Sequence, residues 1–256
     1  FGHWKAAAGD DYLAECHAMT TELAYSSGFS LPRWQAGLSV MLEKQPGNTD
    51  VEKLRAILLM EADFNFANKL FFGYRMMRNA EEHQYIPDEL YGSRNAREAI
   101  DVAMNRRLVT DLSRQRRYPA AIASVDAQSC YDRIAHSIAA IACQRWDMDP
   151  RLTTTMFSTI QQMKFHLRTG FGDSEEWYGG NTEDLPMQGV CQGNGGGPAL
   201  WCATSAPIVS LQHRLGNTSE IQGTMSQEGL SMVGFLFVDD TDLVVFARED
   251  QDDPET

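Results

Sequence analysis

Hydrophobic and polar positions fall into blocks in Gly234–Phe246, where two runs of aromatic and β-branched residues flank a polar knot. The pattern predicts a tight β-hairpin with Asp239 and Asp240 at its turn. Asp suits that place because its short side chain bonds nearby backbone. Ala120–Asp126 is almost wholly apolar, which predicts a strand buried on both faces with Asp126 at its C-terminal end. Ser39–Lys44 and Lys53–Leu59 are short strand patterns across a Pro46-Gly47 turn, so they predict a hairpin with Lys44 on one arm and Arg55 on the other.

Helical spacing fills most of the rest. Asp10–Ser26 carries Leu13, Cys16, Met19 and Leu23 and ends at Gly28. Glu61–Arg78 presents Phe66, Leu70 and Met77 as an apolar face. A long helix ending at Tyr118-Pro119 turns Ile100, Ala103, Leu108 and Leu112 inward and its arginines outward. Ser129–Asp132 opens a helix at capping-box spacing, with Ile134, Ile138 and Ile141 as its stripe. Asp149 and Pro150 are the cap and first-turn proline of a helix expected to reach Arg168. Phe171–Asp184 is Gly-rich and acidic and reads as a loop, and Ala199 to about Leu215 reads as a helix.

Composition narrows the class. With 256 residues, 43% of them hydrophobic, the chain can bury a sizeable core. No apolar run is long enough for a membrane span and no secretory signal opens the chain. The five cysteines are scattered without a C-x-x-C pair, which argues against a disulfide framework or a zinc site and for an intracellular, reducing setting. The net charge of −13 weighs against nucleic-acid binding, but basic groups cluster at Arg75/Arg78, Arg94/Arg97, Arg106–Arg117 and Lys164–Arg168. Acid concentrates at Asp173–Asp184 and in the tail Arg248–Thr256, which reads as a linker.

Four features could carry chemistry. Adjacent Asp239 and Asp240 on a stiff hairpin are either an ordinary turn or part of a site for a hard divalent cation, which takes carboxylate oxygens together with substrate phosphates. Asp126, at the end of an apolar strand, is costly to bury unless something compensates its charge. The run Gly189–Pro198 before a helix can cradle phosphate, but it is neither a Walker loop nor a dinucleotide fingerprint. The cations of Lys44 and Arg55 suit a triphosphate, the first as a point charge and the second as a fork.

In this order the features resemble the reverse transcriptases, nearest to those of non-LTR retrotransposons and group II introns. Val125–Asp132 is similar to the family's first catalytic motif and Gly189–Pro198 to its Gln-Gly motif, with Cys191 where Pro is usual. Phe237–Asp240 resembles the aromatic-x-Asp-Asp signature, Leu90–Arg94 the Gly-x-Arg stretch, and Lys44 with Arg55 the paired cations of the fingers hairpin. The likeness spans about residues 40–247. It implies an α/β fold: a palm with an antiparallel sheet backed by helices, and helix-rich fingers with a β-hairpin. The expected domains are fingers over 1–118 and palm over 119–256, with a fingers segment interposed near 140–190 and no thumb.

The resemblance implies two-metal transfer of a nucleotide to a primer 3′-hydroxyl, with Mg2+ or Mn2+. Asp126 and Asp239 are the expected bridging ligands and Asp240 the auxiliary one. Asp132 is expected to cap its helix or brace the metal ligands, and Asp242 to face solvent. Lys44, Arg55, Gln192 and Gly193 would bind a deoxynucleoside triphosphate, Tyr131 would pack beneath its sugar, and Arg94 would bind nucleic acid. The partners are an RNA template and a DNA primer. An RNA-dependent RNA polymerase, disfavoured by Tyr131, and a non-catalytic nucleic-acid-binding remnant are the competing readings.

Overall fold

Strand-breaking turns and capped helices divide the chain finely. The computed structural model describes residues 2–48, 50–180, 187–223 and 228–246. In chain order the elements are α1 (Gly2–Ala7), α2 (Asp11–Ser27), β1 (Ala36–Glu43), β2 (Leu54–Leu59), α3 (Ala62–Asn68), α4 (Met77–Glu82) and α5 (Ala99–Arg116). Then come β3 (Ala120–Asp126), α6 (His136–Arg145), α7 (Pro150–Gln162), β4 (Lys164–Thr169), β5 (Gly172–Gly179) and α8 (Gly197–Arg214). Four strands close the series: β6 (Ser219–Gln222), β7 (Gly229–Met232), β8 (Gly234–Phe237) and β9 (Asp240–Phe246). The acidic tail and residues 181–186, where the acidic loop was expected to end, lie outside the described residues. The protein is a mixed α/β fold. No described helix is long and apolar enough to cross a membrane.

The chain divides into two compact units, Phe1–Asn79 with Tyr131–Leu200, and Ala80–Cys130 with Trp201–Thr256.

In the first unit the sheet order is β2-β1-β4-β5. The predicted hairpin is present, with β1 antiparallel to β2 and Leu42 opposite Arg55. The helix expected to reach Arg168 stops at Gln162, where Met163 turns extended. Lys164–Thr169 is instead a strand, parallel to β1 and antiparallel to β5. Fully buried Phe165 explains the switch: its ring lies where a Cβ on Gly37 would come within 2.5 Å, so Gly37 makes room for it. The acidic stretch taken for a loop supplies β5.

The apolar faces of three helices also differ from expectation. Residues Lys69–Met76 form a π-helix that continues α3, and its wider turn shifts the helical phase. Phe66 is exposed and Leu70 only half-buried, while Phe64, Ala67, Phe72 and Met76 are buried together with the expected Met77. Cys130–Arg133 is a 3-10 turn, and α6 begins only at His136 with Ala135 as its cap. Its buried face is Ala139, Ala142 and Cys143, leaving Ile138 and Ile141 outside. On α2, Leu13, Met19 and Leu23 are exposed, and Ala24 and Tyr25 are the buried pair. The α2 stop at Gly28 is as expected, with φ 70° at the cap. The α7 start is too, with Asp149 accepting from the Arg151 N–H and Pro150 in the first turn.

In the second unit a three-stranded antiparallel sheet runs β3-β9-β8. Helix α5 packs on it through Val102 and Val109, beside Ile122, Phe235 and Val244. Ile100 and Leu108, expected inward, are exposed. Strand β3 is an edge strand and is exposed at nearly every position, with Val125 at 54%. Burial on both faces requires a packed layer over each face, and of β3 only Ile122 joins this unit's core.

Candidate functional site

Register decides which carboxylates meet. In the second unit β3 and β9 pair antiparallel with Asp126 opposite Asp240. The Ala127 N–H donates to the Asp239 carbonyl at 3.2 Å. That bond makes 127/239 the hydrogen-bonded pair and 126/240 the closer, non-bonded one, where Cα atoms sit about 4.5 Å apart. Two carboxylates directly across a ladder repel. Both are exposed, so solvent or a cation can reach them.

Asp239 is half-buried in the two-residue turn that joins β8 to β9. Consecutive residues alternate faces, so Asp126 and Asp240 share one and Asp239 does not continue it. Among the described residues no group of three or more His, Cys, Asp or Glu is arranged to hold a metal ion. The carboxylates are neighbours along the backbone without forming a closed three-carboxylate set. Two exposed carboxylates remain a donor set of the right chemistry for a hard cation that keeps water and phosphate oxygens as its other ligands.

The turn is strained and braced. Val238 has φ 54°, unusual for a β-branched residue. Trp201 Nε1 donates to its carbonyl at 2.6 Å, and the Tyr91 N–H donates to the Leu236 carbonyl at 2.8 Å. A Cβ on Gly92 would collide with the Val238 backbone, so the Leu90–Arg94 stretch can approach the turn only because residue 92 is Gly.

Two residues of this unit depart from expectation. Arg94 was expected to meet nucleic acid, but its side chain is only 8% exposed. Its guanidinium forks onto Glu81 at 2.7 Å and donates to the Pro87 and Leu90 carbonyls at 3.1 Å. It anchors the segment that braces the turn. Asp242 was expected to face solvent, but its side chain is 15% exposed, 3.1 Å from Arg106 of α5, and it accepts from the Ser124 hydroxyl. Alternation puts 242 on the face of 240, toward α5. A cavity of about 470 Å³ opens there, lined by Arg106, Ser124, Asp126, Asp240 and Asp242.

The first unit holds the other candidates. Arg55 lies on β2, and Lys44 just beyond the end of β1. Neither has an ion pair among the described residues. The Gln192 carbonyl accepts from the Leu58 N–H at 2.8 Å, and the Gly193 carbonyl accepts from the Asn65 side chain at 3.1 Å. Gly193 has φ 128°, and a Cβ there would lie 2.6 Å from the Leu58 oxygen. The loop is thus pinned to β2 and α3, and only Gly fits.

Tyr131, half-buried in the 3-10 turn, accepts the Val190 N–H on its carbonyl at 2.8 Å. Its ring lies where a Cβ on Gly197 would be 3.6 Å away. Asp132 caps no helix; its backbone lies under Gly189, and burial raises its pKa. Burial also pushes the Cys191 thiol up to about 12, so it is inert at neutral pH.

Sequence reading missed His136. Its Nε2 lies 2.6 Å from the Gly189 carbonyl and its Nδ1 3.0 Å from the Gln161 side chain. A lone His inside an expected helix carries no spacing signal.

No family model matches the chain, and no curated protein matches it. Solved structures do. Apo telomerase from Candida Tropicalis, truncated from its C-terminal domain, aligns with TM-score 0.51 and 13% identity over 93% of this chain. Candida Tropicalis telomerase in complex with a TWJ fragment of telomeric RNA gives 0.52 and 12% over 93%. Candida albicans telomerase in complex with a TWJ fragment of telomeric RNA gives 0.53 and 11% over 91%. The chain spans 50%, 40% and 42% of those three chains, respectively. At such identity the likeness is one of fold. The chain has a reverse-transcriptase-like fold.

Proposed function

We propose that the chain carries out template-directed DNA synthesis on RNA, by nucleotidyl transfer to a primer 3′-hydroxyl. The observation that carries this reading is the β3–β9 register, which sets Asp126 against Asp240 beside the braced Asp239 turn, within a reverse-transcriptase-like fold. Asp126 and Asp240 would hold Mg2+ or Mn2+, with Asp239 close by. A bound ion would stabilise charge on the attacking and leaving oxygens. The chain's own residues do the rest. Lys44 and Arg55 neutralise the triphosphate, and the Gln192-Gly193 loop, fixed to β2, positions the nucleotide. Tyr131 excludes a ribose 2′-hydroxyl by volume, a clash worth about 1–3 kcal/mol. The RNA-bound neighbours support nucleic acid as partner, and the non-LTR and group II types are the reverse transcriptases its motifs resemble most.

Primer extension on an RNA template with Mg2+ tests the reading. Wild type should extend the primer, and Asp126→Asn should not, at unchanged circular dichroism. Equal extension by both would overturn it. One observation favours a second reading, a nucleic-acid-binding relative without catalysis: Asp239 does not continue the face shared by Asp126 and Asp240. RNA binding without extension by wild type, at any Mg2+ or Mn2+ concentration, would select that reading. Efficient incorporation of ribonucleotides by wild type would select an RNA polymerase instead.

A further inference from the structure

His136 lies where two parts of the first unit meet: Tyr131–Arg133 with the start of α6, and the strip leading to Gln192. Backbone bonds join them, from the Gly189 N–H to the Ile134 carbonyl at 2.9 Å and from the Val190 N–H to the Tyr131 carbonyl at 2.8 Å. The His136 N–H donates to the Gln188 side-chain oxygen at 3.1 Å. The imidazole adds the tightest link, 2.6 Å from Nε2 to the Gly189 carbonyl. A carbonyl only accepts, so Nε2 carries the proton and the neutral ring's Nδ1 accepts from Gln161 at 3.0 Å. The ring stacks on Phe157 at 4.5 Å and 14°, which fixes its plane. The clamped residue has no slack: Gly189 has φ 84°, and a Cβ there would lie 2.7 Å from Asp132 Cα. Three residues later the strip is pinned again by the bond from the Leu58 N–H to the Gln192 carbonyl.

We propose that His136 is a positioning residue that latches the Gln192-Gly193 loop to the Tyr131 turn, and so sets nucleotide affinity rather than the rate of chemistry. The affinity consequence rests on the nucleotide-handling role given to these residues above; the latch itself does not. Among these links the imidazole can be removed without altering the backbone or Gly189.

Two variants separate latch from core filler. His136→Phe keeps a ring to stack on Phe157 but has no donor, whereas His136→Gln keeps an N–H for the Gly189 carbonyl. In primer extension His136→Phe should raise KM for the nucleotide roughly tenfold, the scale of one hydrogen bond on a buried carbonyl, with kcat little changed. Hydrogen exchange should accelerate in the peptide covering 187–193 and stay unchanged over α8. His136→Gln should restore both. The proposal is overturned if His136→Phe leaves loop exchange and KM as in wild type. It is equally overturned if His136→Phe lowers kcat alone, or if His136→Gln behaves like His136→Phe. If wild type extends no primer, the polymerase reading fails, while the exchange comparison still decides the latch.

Discussion

Arg94 and Asp126 show how differently a charge behaves according to its partners. Arg94 satisfies Glu81 and two carbonyls at once from an 8% exposed side chain. Glu81 raises the Arg94 pKa, mainly through their side-chain hydrogen bond. Truncation by Arg94→Ala leaves those acceptors unpaired, and partial exposure of Glu81 softens the loss. We expect a cost of about 2–3 kcal/mol in urea unfolding. Nucleic-acid affinity should change no more than the folded fraction does. Asp126 faces a like charge instead, so Asp126→Asn should stabilise the metal-free chain by about 0.2–1 kcal/mol while abolishing extension. A thermal melt in chelator reads the first and a gel the second.

His136 makes a pH prediction at the same scale. Burial lowers its pKa, partly opposed by the hydrogen bond to Gly189. The folded state therefore resists a proton that the unfolded chain accepts near pH 6.5. The neutral ring's contribution is complete above that pH and shrinks as pH falls below it. Urea midpoints at pH 7.5 and 5.5 should differ more for wild type than for His136→Gln.

At the element scale, caps and glycines were legible and faces were not. Asp149 and Pro150 start α7 through contacts within three residues, so pattern sufficed. The Asp149→Ala variant should unfold at a lower denaturant midpoint, measured by urea titration. Gly193 is a harder constraint because tertiary structure sets it. Gly193→Ala combines a φ of 128° with a Cβ 2.6 Å from the Leu58 carbonyl. It should cost about 1–3 kcal/mol and loosen the loop's hydrogen exchange. The inward faces of α5 and α6 were misread because apolar residues on several sides of a helix let the neighbouring sheet or helix choose among them. Val109 rather than Leu108 meets β9 for that reason.

At the scale of the molecule, acidity dominates. The net charge is −13, and many arginines are already engaged: Arg33, Arg94, Arg107, Arg151 and Arg168 all pair with carboxylates. Those pairs and the net charge both oppose a phosphate backbone. Binding to an RNA–DNA duplex should be weak, and its salt dependence shallow, about three phosphates' worth in the slope of log K against log salt. Filter binding across a salt series checks this; a slope near that of ten phosphates would mean a basic surface that the pairing pattern hides.

The sequence alone determined what depends on near neighbours. The β1–β2 and β8–β9 hairpins, the Gly28 stop, the α7 cap and the Asp239-Asp240 turn follow from short-range sterics and hydrogen bonding, and each was legible. Tertiary structure decided what depends on pairing at a distance. Lys164–Thr169 became a strand because β1 and β5 offered it ladders and Phe165 a hole beside Gly37. Arg94 became an anchor because Glu81 and two carbonyls surround it. Asp240, rather than Asp239, stands opposite Asp126 because a one-residue change of register would send every side chain of β9 to the other face.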